Sequence, residues 1–576
     1  MHRIRILKKS AAGNQVVGAP LAGAQRGKRM SLFFRKRKKH VPAGARSKNS
    51  PGNSKHSYQS LTFNPDIDKN LRLLKECFEN CSDVVFREFL FAQREQIKLA
   101  LVYIDGMVDK NQISEQVMHA LSLDVPTATD NNVINKGNAL HYVKMRGLCT
   151  HQMGETEKLR EAVDAILSGD SVLLVDGHAT AVINGSQGWK DRSVEESKTE
   201  IVVRGPREAF VETLRVNTSL LRRKIKSKDL KIESLTLGEI TNTDIAVAYI
   251  SGIVNEELVT EVKKRLAGIK IDGILESGYI EELIRDHPLS MFPTVAHTDR
   301  PDRVAANLLE GRVAIFVDGT PIVLTVPHFF IEALQAPEDY YEHYFFTTFV
   351  RLLRIGSLLI ALTLPSLYVA IISFHHEMLP TPLLLSIAAQ REAVPFPVFI
   401  EALLMEIAFE IIREAGIRLP RQVGQAVSIV AALIIGQSLV QAGLVAGATI
   451  IVVALTAMAS FVVYYSGSLA FRLLRFPLMF LAASFGLFGL IAGLIVIVAH
   501  MTSLRSFGVP YLAPVGPLIP EDLKDSFVRA PWWAMGKRPC LLGQNNLVRE
   551  ASGMKPEPPG TTAPKDGESD AGREQN

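Results

Sequence analysis

Across 576 residues the chain is 47% hydrophobic and 21% charged, with a net charge of +5. That charge is unevenly placed: residues 1–60 hold 15 Lys and Arg and no Asp or Glu, so the rest of the chain is net acidic. Four cysteines in a chain of this length exclude a disulfide framework.

Residues 1–60 form a basic tail expected to be disordered. Its cluster Arg35-Lys36-Arg37-Lys38-Lys39 suits anionic lipid headgroups better than nucleic acid, given the apolar segments downstream. Met30 offers a second start site. No apolar run followed by a small-residue cleavage site opens the chain, so the region after the tail is expected to stay in the cytoplasm. Cys77 and Cys81 lie a helical turn apart and Cys149 stands near His151; reduced, partly buried thiols are the simpler reading than zinc.

Residues 61–340 contain a repeat. LALVYIDGMVDKNQISEQVMHAL (99–121) matches IAVAYISGIVNEELVTEVKKRL (245–266), with Tyr103 over Tyr249 and Gly106 over Gly252, each 146 positions apart. Each unit is a strand-like apolar run, a polar turn, then helical spacing. A second pair, AILSGDSVLLVDGHATAVI (165–183) and NLLEGRVAIFVDGTPIVL (307–324), places Asp176-Gly177 over Asp318-Gly319. An Asp-Gly pair between two strands signals a short hairpin. The expectation is two related α/β lobes, 61–205 and 206–340. Turn chemistry accounts for the matched aspartates, and no P-loop, GxGxxG, HExxH or GxSxG is present, so no catalytic residue, metal site or cofactor is assigned.

Residues 345–502 read as a helical membrane domain of about five segments: Ile355–Phe374, Phe396–Ile412, Val423–Val440, Leu444–Tyr464 and Phe476–His500. Their lengths suit bilayer spans. Arg351 and Arg354, Arg413, Arg418 and Arg421, then Arg472 and Arg475 fall on alternate loops, which places the lobes in the cytoplasm. If the second segment is re-entrant, the C-terminal tail changes side.

That second segment carries Glu401, Glu406 and Glu410. A carboxylate at bilayer depth costs roughly 3 kcal/mol, so such groups face a partner, a cavity or an ion path. On a helical wheel Glu406 and Glu410 lie about 40° apart and Glu401 elsewhere. Glu406 and Glu410 are the pore-lining candidates, where a ring of carboxylates from several subunits favours cations. Glu401 and Arg413 are helix-pairing candidates. Gly443 and Gly447, and Gly489 and Gly493, have the spacing that lets helices approach closely. His375-His376-Glu377 reads as a solvated loop. After the last segment, residues 503–550 mix prolines and aromatics, with Trp532-Trp533 suited to an interface; residues 551–576 are expected to be disordered.

The chain resembles the A-subunit family of bacterial spore germinant receptors, the GerA family. The residues that carry the likeness are PFPVFIEALLMEIAFEIIREAGIRLPR, LLLSIAAQRE after Pro380–Pro382, GQSLVQAGLV, SLRSFGVPYLAP and DLKDSFVRAPWW. In the lobes they are NPDIDKNL, SDVVFREF, DRPDRVAANLLEGRVAIFVDGTP and the run into EDYYEHYFFTTFVRLLR. The family pattern has an acid where this chain has Gln441.

The resemblance implies a subunit of a nutrient-sensing complex in the spore inner membrane. It implies a permease-like B subunit that binds the germinant, a lipoprotein C subunit, and a homo-oligomeric ring, expected to be five-fold, that releases monovalent cations. Rival readings are a secondary transporter, a non-conducting scaffold and a germination-amplifying paralogue; no inverted repeat among the five segments supports the first.

Overall fold

The computed structural model describes residues 60–91, 96–124, 134–147, 153–188, 197, 199–419, 436–462, 465–543, 545–551 and 553–556. The basic tail, Cys149 with His151, Arg421 and most of the third apolar segment fall outside these residues.

The first lobe runs α1 (Ile67–Cys77), β1 (Val84–Phe91), β2 (Ile97–Ile104), a helical segment Gln112–Asp124, β3 (Met153–Thr156), α2 (Leu159–Ser168), β4 (Ser171–Val175) and β5 (Ala181–Asn184). Its antiparallel sheet has the order β1-β2-β4-β5-β3. The second lobe repeats it: α3 (Leu214–Lys224), β6 (Leu230–Leu237), β7 (Thr243–Ile250), α4 (Glu256–Ala267), α5 (Ser277–Ile284), β8 (Ala296–Thr298), α6 (Pro301–Leu309), β9 (Val313–Val317) and β10 (Val323–Val326). The order β6-β7-β9-β10-β8 is the same path through an antiparallel sheet.

The duplication extends to side chains. Asn70 in α1 bonds the backbone of Asn64 through both its amide atoms, and Asn217 in α3 does the same to Val211. Each sheet is covered on both faces by helices, so central strands such as β4 and β9 are buried along their whole length. Both faces being dry explains their continuous rather than alternating apolar sequence.

The two Asp-Gly turns do join antiparallel strands, but through loops longer than two residues (176–180 and 318–322). The loops lengthen because each turn docks on its own lobe: Gly177 donates to the carbonyl of Pro65 and Gly319 to that of Glu212. The Asp318 carboxylate accepts from the amide of Leu214 at the start of α3, and Asp176 pairs with Lys136.

The lobes meet at the α1–β1 turn. Asp83 (1% exposed) receives a two-point bond from Arg222 (0%) in α3, at 2.7 and 2.9 Å. Beside it Ser82 donates to the carbonyl of Ile232 and Ile232 to that of Asn80. A planar guanidinium over a carboxylate, with its hydrogen bonds met, fixes orientation as well as charge.

Beyond the lobes lie α7 (Tyr344–Phe374), α8 (Thr381–Arg391), α9 (Val398–Arg418), α10 (Gly447–Val462) and α11 (Tyr465–Ser503). Among the described residues two helical stretches are long and apolar enough to cross a membrane, Tyr344–Phe374 and Leu469–Ser503. The second is not one rod. At Gly486 the backbone leaves helical space (φ 61, ψ −142), and the chain folds back on itself.

A Cβ on Gly489 would collide with the carbonyl oxygen of Leu481, and one on Gly493 would lie 2.5 Å from Leu478 Cδ2. In a straight helix residues eight apart stand about 12 Å apart. Phe292 of the second lobe touches both Phe471 and His500, the two lower ends of this hairpin. The fifth apolar segment, a single span from Phe476 to His500 by hydropathy, is therefore the upper part of the rising arm, the tip and the returning arm of a helical hairpin.

The fold-back returns the chain to the lobes. Residues 504–550 pack on the second lobe: Ser506 donates to Thr294, Arg538 to the carbonyl of Leu309 and Asn545 to that of Val254. The C-terminal segment thus lies on the lobes' side of the helical bundle.

Candidate functional site

Helix α9 begins after Pro397, whose fixed φ suits the position before a helix start. Glu401, in its first turn, is fully buried. One oxygen pairs with Arg391 of α8 at 3.0 Å and the other accepts from the amide of Ala446 at 2.6 Å, just before α10. Arg413, three turns on, donates to Ser460 of α10 and lies between the rings of Phe409 and Phe461. These two contacts lay α9 and α10 side by side in the same direction.

Glu406 and Glu410 face the hairpin. Glu406 is 0% exposed and lies 2.8 Å from Arg475 Nη1, while Glu410 pairs with Arg472, Arg475 and, at 3.4 Å, Arg413. Two carboxylates and three guanidiniums converge where α9 meets the rising arm of α11, and Glu410 and Arg472 keep 21% of their side chains exposed. Removing one partner of such a buried set leaves an uncompensated charge, so the set holds the helices in one register. Chemically it offers charge and shape to an ion or a neighbouring chain.

The glycines divide. Gly489 and Gly493 pack within the hairpin, where their lack of a side chain lets its arms touch. Gly443 sits in a turn at positive φ against the carbonyl of Ala393, and Gly447 faces Gln390 of α8. Among the described residues no group of three His, Cys, Asp or Glu side chains is arranged to hold a metal. Cys77 and Cys81 are free thiols, and His375 directs Nδ1 to the carbonyl of Ala370.

Residues 72–541 match the family model described as Bacillus/Clostridium GerA spore germination protein. The chain belongs to the GerA family. Among curated proteins it is 43% identical over 499 residues to spore germination protein KA of Bacillus subtilis (strain 168), covering 86% of this chain and 90% of that one. It is equally identical to the uncharacterized membrane protein YfkQ of the same organism, over 86% and 95% of the two chains. Spore germination protein B1, also of that organism, is 38% identical over 85% of this chain and its own full length. A solved structure, the N-terminal domain of the A subunit of the Bacillus megaterium spore germinant receptor GerK3, is 37% identical, covering 46% of this chain and 96% of that one at a TM-score of 0.36.

In this GerA protein the stretches that carried the resemblance have definite structural work. DRPDR binds the strand of chain between the lobes: Arg300 (1% exposed) donates to the carbonyls of Glu200 and Pro206, and Asp299 accepts from Ser197 and Thr199. DLKDSFVR supplies Asp525 and Arg529 to a hub that sequence reasoning missed. Arg351 and Arg354, taken from the sequence as markers of sidedness, are buried. Arg354 bonds Asp339 and the carbonyl of Leu334, while Arg351 reaches Asp339 and Asp525 at 3.2 Å each. Tyr340 donates to Asp525 and Arg529 Nε to the carbonyl of Asp339. An arginine flanking an apolar segment looks the same in sequence whether it meets water or a carboxylate 174 residues away; the run DLKDSFVR is the available signal.

Proposed function

We propose that this GerA-family chain is the A subunit of a nutrient germinant receptor, a multi-pass protein of the spore inner membrane with its lobes on the cytoplasmic side. It works as a five-fold homo-oligomeric ring with a permease-like B subunit, which holds the nutrient, and a lipoprotein C subunit. Opening of the ring releases monovalent cations and commits the spore to germinate. No covalent step, cofactor or metal enters, and no nucleic acid is a partner.

The observation that carries this reading is the carboxylate pair Glu406 and Glu410 set among apolar helices and neutralised by Arg472 and Arg475 of the hairpin. Ionisable groups within membrane helices face the bundle interior, pair with one another and mark substrate or ion pathways. Glu406 and Glu410 line the path once the hairpin arginines withdraw, and a carboxylate ring there selects cations.

Current across a planar bilayer holding the chain with its partners tests this. Nutrient-dependent cation steps that shrink or lose selectivity in Glu406→Gln and Glu410→Gln support it. Unchanged conductance and selectivity in both variants remove the pore assignment. A second reading, a non-conducting scaffold that couples the sensor to a separate channel, is favoured by the full burial of Glu406 in a single chain. A silent bilayer from an intact, nutrient-binding complex selects it.

A further inference from the structure

The underside of the second lobe carries apolar side chains where a water-facing surface would not need them. Leu289 is 98% exposed and Met291 56%, on the loop between α5 and β8. Single exposed leucines are ordinary, and their position decides whether they matter.

That position is set by two contacts. Ser290, between them, shares a 3.1 Å hydrogen bond with His500 of the hairpin. Phe292, the next residue, packs its ring against Phe471 and His500 at 5.6 and 6.0 Å. Phe471 and His500 lie 15 and 14 positions from Gly486, which abuts Phe374 and His375 at the far end of α7. At 1.5 Å per residue this puts Phe292 about 21 Å from the tip. A hydrocarbon layer about 30 Å thick then includes Phe292 and ends near Leu289.

The neighbouring turn of the C-terminal segment agrees. Tyr511 touches Phe292 at 6.3 Å, and the turn after it exposes Val515 (43%) and Leu518 (68%). The two charged residues just before the loop are paired, Asp286 with Arg265 and Arg285 with Glu281.

We infer that the loop 287–291 of the second lobe inserts Leu289 and Met291 into the near leaflet of the membrane, so that the lobe is seated on lipid and not merely tethered by α7. This rests on the membrane reading given above. The occupant is the acyl-chain and glycerol region of the bilayer, because Ser290 and Phe292 hold the loop directly against His500 and Phe471 of the hairpin.

The test replaces Leu289 with tryptophan in the full chain, reconstituted in phosphatidylglycerol-containing vesicles, with Ile495→Trp as a companion. Ile495 is 63% exposed on the returning arm of the hairpin. Difference emission is taken against the parent, which has three tryptophans. The expected result is blue-shifted L289W emission that lipids brominated on their acyl chains quench and aqueous iodide does not. Quenching by iodide alone overturns the proposal, and so does protection from both quenchers, which means a neighbouring copy covers the loop. If I495W is quenched by brominated lipid while L289W is not, the membrane reading stands and the seating of the lobe fails. If neither is quenched, both fail together.

Discussion

Arg312 is 4% exposed, yet it carries a full charge beneath the second lobe. It is tolerated because Glu332 lies 2.5 Å away, with His328 on the same carboxylate oxygen at 3.1 Å and the amide of Phe329 on the other at 2.8 Å. Burial alone would raise the pKa of Glu332, but Arg312 and His328 outweigh it and hold the group well below the ordinary 4.5. A depressed folded pKa means the carboxylate stabilises the fold fully above 4.5, and that contribution is lost as pH falls through the folded value. Glu332→Gln should therefore flatten the acid side of the lobe's melting profile below pH 4.5. At neutral pH it should cost about 3–5 kcal/mol, since Arg312 is left without its counter-charge. An equal slope in variant and parent would show that other acids set the acid response. Asp83→Ala should cost a similar ~3–5 kcal/mol by stranding Arg222, read as faster hydrogen exchange at both faces of the lobe junction.

At the scale of elements, the strand–helix units were legible because the signals are local. Apolar runs ending in Tyr-Ile-x-Gly became β2 and β7, and Asn255, read only as part of a polar turn, caps α4 by accepting from Glu257. The acidic helix was legible too, as was the common face of Glu406 and Glu410. What the sequence could not show was who answers them: Arg475 is 65 residues from Glu410 and was read as a loop charge. The hairpin was hidden for another reason. SFGLFGLIAG is uniformly apolar, and Phe476–His500 has the length of one span, so hydropathy passes over the reversal at Gly486. The glycines now become separable by what surrounds them. Gly489→Ala meets the backbone of Leu481, which cannot step aside, whereas Gly493→Ala meets the flexible ends of Leu478 and Leu481. The first should destabilise the hairpin by about 1–3 kcal/mol and the second by less. Thermal melting of the two variants in detergent, followed by helical circular dichroism, reads this, and equal shifts in both variants would contradict the packing described.

Considered as one molecule, the lobes and the helices are joined at a place where three arginines meet two aspartates, all but Asp525 buried. Asp339 leaves the second lobe, Arg351 and Arg354 stand two to three turns into α7, and Asp525 and Arg529 arrive on the C-terminal segment. The arrangement means that α7 cannot rotate or shift without disturbing both the lobe exit and the returning chain. Surface ion pairs contribute little, but here Arg351 is 0% exposed and Asp339 3%, so each charge depends on the other. Asp339→Ala leaves both Arg351 and Arg354 undercompensated and should release the C-terminal segment before it unfolds either lobe. Limited proteolysis of the full chain distinguishes these outcomes. Cleavage within residues 504–550 should accelerate roughly tenfold or more, the factor that even ~1.4 kcal/mol of lost docking energy produces, while cleavage within 61–340 stays at the parent rate. If both regions are cut faster together, the hub holds up the lobe itself and is not a separable joint. If neither is, the C-terminal segment is held by its apolar contacts alone, and the joint between helices and lobes must be sought at Phe292 and Tyr511.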